Sequence, residues 1–436
     1  MAIKKLVFIF ACLIHATAMA AENDLVLPPI VSPETFDNPI IQPSGTLSLK
    51  KAITLTLEHN PELAAYAWGI RSREIDRIQA GLLPNPELGI EVENFAGSGD
   101  VSSFRSAEMT IALSQLIELG DKRVKRQQIA LTEHSLARWD YEIKRIDLLT
   151  ATARIFIAVL SQQEMQSISN ETYSLASEVY ESIKKRVAAG KATTLEELKA
   201  RVEVSKARLK SINSKRQLTL NKHSLATLWG NTETTFTDVV GDIYTVSAPP
   251  DLNSIINKIN NNPNLARWVT AISREQSSVA LAQANMTPDL TVSTGLRYLN
   301  GDNDVAAVAS ISVPLYLFDD KKTGVRRSEI ELNRALKEKA TTELKIRSTL
   351  IQDYQQLVIL YDEVLVLRDE VLPVSEEAFI SAKKMYQLGK LGLLALLDTQ
   401  RTYFEVRQQY IEILTAYQLM VANIERLIGG GLSSFR

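Results

Sequence analysis

The sequence predicts a mainly α-helical chain that also carries membrane β-barrel strands, with a long helical hairpin present in two copies. Three observations predict this class. The same motifs recur about half the chain length apart, and each copy has a pair of stretches that alternate apolar and polar residues with period two. Each alternating pair is then followed by a helical stretch much longer than the helices of ordinary globular domains.

The duplication is read directly from the residues. "HNPELAAYAWGIRSREIDRIQAGLLPNPEL" (His59 to Leu88) matches "NNPNLARWVTAISREQSSVALAQANMTPDL" (Asn261 to Leu290). Asn60-Pro61 aligns with Asn262-Pro263, Pro86 with Pro288 and Leu88 with Leu290, all 202 residues apart. Further on, "KKRVAAGKATTLEELKAR" and "KKMYQLGKLGLLALLDTQ" repeat at a separation of 199, with Gly190 opposite Gly389. A near-constant separation across more than a hundred residues indicates tandem duplication. The first repeat is placed at 21–230, with strands at about 87–117 and a helical hairpin at about 121–229. A connecting segment at 231–250, partly stranded, leads to a second repeat at 251–436, with strands at about 288–317 and a hairpin at about 321–428.

Each repeat opens with a short helix, and Pro61 or Pro263 then starts the next one at the position where a missing N–H costs nothing. In "ELGIEVENF", Leu88, Ile90 and Val92 face one way, and Glu87, Gly89, Glu91 and Glu93 the other. In "SAEMTIALSQL", Met109, Ile111 and Leu113 oppose Glu108, Thr110 and Ser114. The second copy sets Leu290, Val292 and Leu296 against Thr291, Ser293 and Arg297, followed by Ala307, Ala309, Ile311 and Val313. The linkers "AGSGDVSS" and "NGDND" have hairpin-loop composition. Strands of about ten residues cross a bilayer at a tilt. A half-buried soluble hairpin shows the same alternation. The charges Glu91, Glu93, Glu108 and Arg297 on the polar side suit a wet lumen, and they favour the barrel.

From Asp121 to Ala189 there is no Gly and no Pro, enough for a helix of about 100 Å. Apolar residues recur every seventh position at Ile129, Leu136 and Ile143, and again at Leu195, Val202 and Leu209, a coiled-coil pattern. Pro373 is expected to kink or break the second long helix, and the glycines at 429–431 to stop its return.

The start "MAIKKLVFIFACLIHATAMAAEN" has the form of a secretory signal peptide over residues 1–20: Lys4 and Lys5, a short apolar run, and Ala18-Met19-Ala20 as the cleavage site. Cys12, the one cysteine, falls too early in that run to be a lipidation site. The remaining chain then has no thiol, disulfide or cysteine metal ligand. The formal net charge is −2, and the signal removes two lysines and no acid, so no basic excess points to nucleic acid. Four strands cannot close a membrane barrel, which points to several identical chains sharing one barrel.

With these motifs in place, the chain resembles the TolC-like outer-membrane efflux proteins along its whole length. "LLPNPELGIEVENFAGSG" followed by "SQLIELGDKRVKR" resembles their CzcC-like heavy-metal subgroup, and "VPLYLFDDKKTG" resembles the second-copy equivalent. Asp121 stands where that subgroup usually has a second Gly. The resemblance implies a homotrimeric α-barrel under a shared twelve-stranded β-barrel in the bacterial outer membrane, extending into the periplasm. It also implies a periplasmic adaptor, an inner-membrane RND pump, outer-membrane lipid around the strands, and a passive duct for heavy-metal cations that is not an enzyme and uses no cofactor. A duct for drugs or other small molecules and a periplasmic coiled-coil adaptor or scaffold are the competing readings.

By the same resemblance, Asp398 lies where aspartates line a closed periplasmic entrance, with Ala395 in place of a second acid. Arg186, Gly190, Leu195, Gly389 and Leu394 mark the hairpin tips as adaptor contacts. No catalytic constellation is visible: His59, His134 and His223 are scattered, and none has a second ligand at helical spacing.

Overall fold

The structure, a computed structural model, describes residues 32–37 and 42–429. The expected signal peptide at 1–20 and the last two of the three terminal glycines lie outside the described residues. A short strand β1 (Gly45–Ser48) leads into α1 (Leu49–His59) and α2 (Pro61–Ala80). Strands β2 (Glu87–Glu93) and β3 (Glu108–Ile117) follow, then α3 (Lys122–Ala188) and α4 (Thr194–Thr227). After β4 (Phe236–Val240), the order repeats with α5 (Leu252–Ile256), α6 (Pro263–Ala284), β5 (Leu290–Leu299) and β6 (Asp304–Ser312). The second long hairpin is α7 (Lys322–Val366), α8 (Leu372–Gln387) and α9 (Leu393–Leu427).

Pro61 and Pro263 sit at the first turns of α2 and α6, as their ring geometry favours. The residue before each is an N-cap. The Asn60 side chain accepts from Leu63 N at 2.9 Å, and the Asn262 side chain from Asn264 N at 2.8 Å. Asp121 and Lys321, just before α3 and α7, both have left-handed backbone, with φ 58° and 62°.

The expected interruption at Pro373 is resolved by winding. α7 passes into a π turn at Leu367–Val371, where the Leu372 N–H reaches Leu367 O, and α8 starts with the proline inside its first turn. The wider turn accommodates a residue that has no N–H and whose ring would crowd the preceding carbonyl.

The four barrel-type strands form one antiparallel sheet in the order β2-β3-β5-β6, so β3 and β5 join the two repeats and β2 and β6 are its edges. At the β3–β5 seam the backbones approach closely. A Cβ at Gly295 would lie 2.3 Å from Ile111 O, so only glycine fits there. The connecting segment is stranded through β4, which pairs in parallel with β1, a strand the sequence pattern did not reveal.

The main apolar core surrounds this ribbon. Leu47, Leu55, Phe156, Leu225, Trp229 and Leu414 are fully buried where α1, α3, α9 and the β1–β4 pair meet. Each such side chain contributes about 1.5–3 kcal/mol by leaving water. Along the first hairpin, α3 and α4 pack through small residues, Ala200 and Ala207 on α4. The seventh-position row Leu195, Val202 and Leu209 faces outward instead.

Candidate functional site

Three regions carry the residues singled out by sequence: the polar sheet face, the two hairpin turns, and the start of α9.

On the sheet, strand register places Glu91, Thr110 and Arg297 in one cross-strand row, and Glu93 opposite Glu108 in the next. Arg297, on β5, bonds to the adjacent strand β3 and reaches past it to β2. Its Nη2 lies 3.0 Å from Glu93 Oε2, its Nη1 2.8 Å from Glu108 Oε2, and its Nε donates to Thr110 Oγ1 at 2.9 Å. One cation thus binds two carboxylates on β2 and β3, which like-charge repulsion would otherwise push apart. Glu91 has no ion pair among the described residues. The opposite face is apolar, with rows such as Ile90, Ile111 and Leu296, all exposed in the single chain.

The two turns have the same construction. After α3, Gly190 N donates to Val187 O at 2.9 Å and Lys191 N to Arg186 O at 2.8 Å. After α8, Gly389 N donates to Tyr386 O at 3.0 Å and Lys390 N to Met385 O at 2.9 Å. Both are Schellman caps, and both glycines have positive φ, 70° and 72°. The returns differ. Thr193 and Glu196 form a capping box at the start of α4, while Gly392 gives α9 no side-chain cap. The Arg186 guanidinium lies 5.1 Å from the centre of the Tyr386 ring, tying one turn to the other. Leu195 and Leu394 are 60% and 65% exposed. The seal between the hairpins is made by Ile183, Phe379, Tyr386, Leu393 and Leu396, which the sequence reading did not single out.

Asp398 lies in the second turn of α9, beside a cleft of 700 Å³ between α4 and α9. Its partner is Arg401, with Nη2 donating to Oδ1 at 2.6 Å, and both side chains are mostly exposed. Arg401 was missed, although the Asp-x-x-Arg spacing on a helix carries the signal. Lys199, Glu203 and Lys206 of α4 line the same cleft, with Lys206 bonded to Glu203 at 2.9 Å, so charges of both signs surround Asp398.

Among the described residues no group of three or more His, Cys, Asp or Glu could hold a metal ion, and the three histidines lie on separate helices. Burial, and then the charges of Arg138 and Arg77, hold His134 below its ordinary titration range. No described helix is long and apolar enough to cross a membrane.

A duplicated chain of this kind, with a four-stranded sheet whose edges are open and two hairpins ending in matched turns, defines a channel-forming outer-membrane protein. The pattern of the outer membrane efflux protein family matches residues 52–231 and 256–430, and the chain belongs to that family. It is an outer-membrane transport channel rather than an enzyme. Over 386 residues it is 29% identical to the cobalt-zinc-cadmium resistance protein CzcC of Cupriavidus metallidurans, covering 88% of this chain and 91% of that one. The fold is also that of two solved structures. The CmeC outer membrane channel of Campylobacter jejuni matches with a TM-score of 0.73 at 14% identity, covering 88% of this chain and 86% of that one. CusC matches with 0.73 at 15% identity, covering 93% and 100%.

Proposed function

We propose that this chain is the exit duct of a tripartite RND-type efflux system for heavy-metal cations. Three copies, each giving four strands, form a twelve-stranded barrel, because the open edges of a single sheet would leave backbone groups unpaired in hydrocarbon. The apolar face meets lipid, and the face carrying Glu91, Glu93, Glu108 and Arg297 lines the lumen. The hairpins continue below as a tube of helices, and the tip residues Arg186, Gly190, Leu195, Gly389 and Leu394 receive a periplasmic adaptor. An inner-membrane pump supplies the driving force, and the duct is passive.

Asp398 is the gate residue in this reading. Three copies near the narrow end set three carboxylates around the path, each balanced by its own Arg401 at 2.6 Å. Rings of acids attract cations, and the arginines limit how tightly they hold them.

The observation that supports the metal cargo is the likeness to a cobalt-zinc-cadmium resistance protein over nearly the full length of both chains. The test is deletion of the gene, followed by growth with divalent cations and with hydrophobic drugs. Greater loss of resistance to the cations is expected. A greater loss toward drugs rejects the cargo and leaves the duct. Recovery of the protein as a soluble periplasmic monomer, away from outer membranes, rejects the duct in favour of an adaptor or scaffold.

A further inference from the structure

The internal duplication supplies a template for how one copy could meet the next. The two repeats are equivalent strand by strand: β2 matches β5 with Leu88 at Leu290, and β3 matches β6 with Ile111 at Ile311, as the two hairpin registers require. The second match extends through the αL residues Asp121 and Lys321 to Lys122 and Lys322. Within the chain, the seam between repeats is β3 on β5. There Leu113 pairs with Thr294, Gln115 with Val292 and Ile117 with Leu290. The seam ends in an ion pair in which the nearly buried Lys122 donates from Nζ to Asp289 Oδ1 at 2.7 Å, and Leu119 N donates to the same oxygen at 3.0 Å.

If copies stand around one axis and the joint between copies repeats the seam between the two halves of one chain, β6 of one copy meets β2 of the next as β3 meets β5. Carrying each residue to its equivalent pairs Val313 with Val92, Leu315 with Ile90 and Leu317 with Leu88. It also carries the ion pair Lys122–Asp289 to Lys322–Glu87. Four observations fit. All three pairs are apolar on both sides and lie on the apolar face. Leu315 and Leu317 are 77% and 76% exposed in the single chain, and Ile90 and Leu88 are 63% and 69% exposed. The Leu317 N–H turns back onto Leu315 O at 3.0 Å, whereas the equivalent Ile117 lies in a paired strand. Charge is complementary: Glu87 has no ion pair among the described residues, and Lys322, bonded to the exposed Asp320, is on a flexible stem free to change partner. Pro314 falls opposite Glu91 and lacks an N–H, so the ladder has at most one bond fewer there.

We infer that the surface formed by residues 313–318 and Lys322 docks a second copy of this chain along its β2 edge, in the register Val313–Val92, with Lys322 bonded to Glu87. This rests on the duct reading above and adds the residues and register to it.

Paired cysteines test it in the full chain inserted in outer membranes. Val92→Cys with Val313→Cys places two Cβ atoms within disulfide reach across the interface. Leu88→Cys with Val313→Cys leaves them about 13 Å apart along the strand. Oxidation is expected to shift the first variant from monomer to dimer and trimer mass in denaturing gels and to leave the second unchanged. Cross-linking of the second, or of neither while a native trimer persists, overturns the register and leaves the duct standing. A chain that is monomeric before oxidation overturns both. Independently, Lys322→Glu and Glu87→Lys should each lower the trimer's melting temperature, and the double exchange should restore it. A double exchange no better than the singles overturns the ion pair.

Discussion

Asn60 and Asn262, 202 residues apart, make the same long-range bond. The Asn60 side-chain amide donates to Leu228 O at 2.7 Å, and that of Asn262 donates to Leu427 O at 2.7 Å. Each caps the helix that follows while binding the C-terminal end of the returning helix of its own hairpin. The repeated Asn-Pro is therefore the clasp that closes each repeat.

Asn60→Ala and Asn262→Ala remove a cap and a bond to a main-chain carbonyl together. Each is expected to destabilise the chain by about 2 kcal/mol, the cap and the hydrogen bond contributing about 1 each. Asn262→Ala should be the more harmful, because its bond to Leu427 O is fully buried. Thermal unfolding of the detergent-solubilised protein checks the order. Equal melting temperatures for wild type and both variants would show that water replaces the clasp.

If Asp398 guards the entrance as proposed, Asp398→Ala is expected to reduce cation selectivity and block by divalent cations in planar bilayers, with trimer and insertion intact. Arg401→Ala should act the other way, since it removes the countercharge at 2.6 Å. The effect of Asp398→Ala should be modest because Ala395 supplies no second ring. Glu91→Ala, on the strands, should leave the entrance unaffected. Wild-type block in Asp398→Ala would reduce Asp398 to a solvated helix residue.

In the barrel, Arg297→Gln releases Glu93 and Glu108 from their shared cation. Three chains then expose six unbalanced carboxylates, and block by divalent cations added from the extracellular side is expected to strengthen. Adding Glu108→Gln should return it toward wild type. No change in either variant would place this face away from the conducting path.

His134 sets a pH dependence of stability. Its folded titration point lies below the ordinary 6.5, with burial the leading cause and the charges of Arg138 and Arg77 next. Between the folded and unfolded values the unfolded chain binds more protons, so this contribution is complete above pH 6.5 and is lost as pH falls below it. Melting temperature should drop less between pH 7 and pH 5.5 in His134→Gln than in wild type. Parallel curves would assign the acid sensitivity to other groups.

Periodicity was enough to find the strands and long helices. Period two in "ELGIEVENF" and a Gly- and Pro-free run after Asp121 depend only on local sterics and on which face avoids water. The turns at Gly190 and Gly389 were legible for the same reason, since positive φ favours glycine over any other residue. By contrast, β1 is four residues long and gains its partner β4 from almost two hundred residues away, so no local pattern marks it. The π turn before Pro373 depends on how a continuous helix accommodates a missing N–H, and the sequence offered only a kink or a break.

The sequence by itself determined the duplication, the alternating strands and the hairpin turns, because each follows from residue type and spacing along one element. It read Leu195, Val202 and Leu209 as a coiled-coil row, and only the packing of α4 through Ala200 and Ala207 turned that row outward. Tertiary structure alone decided which residues act together. It set Arg297 between Glu93 and Glu108, joined Asn262 to Leu427, and placed Lys122 against Asp289. Those contacts join residues far apart in the chain through strand register and helix packing. Their geometry is fixed by the loss of water and the satisfaction of buried polar groups across elements, which no single stretch of sequence contains.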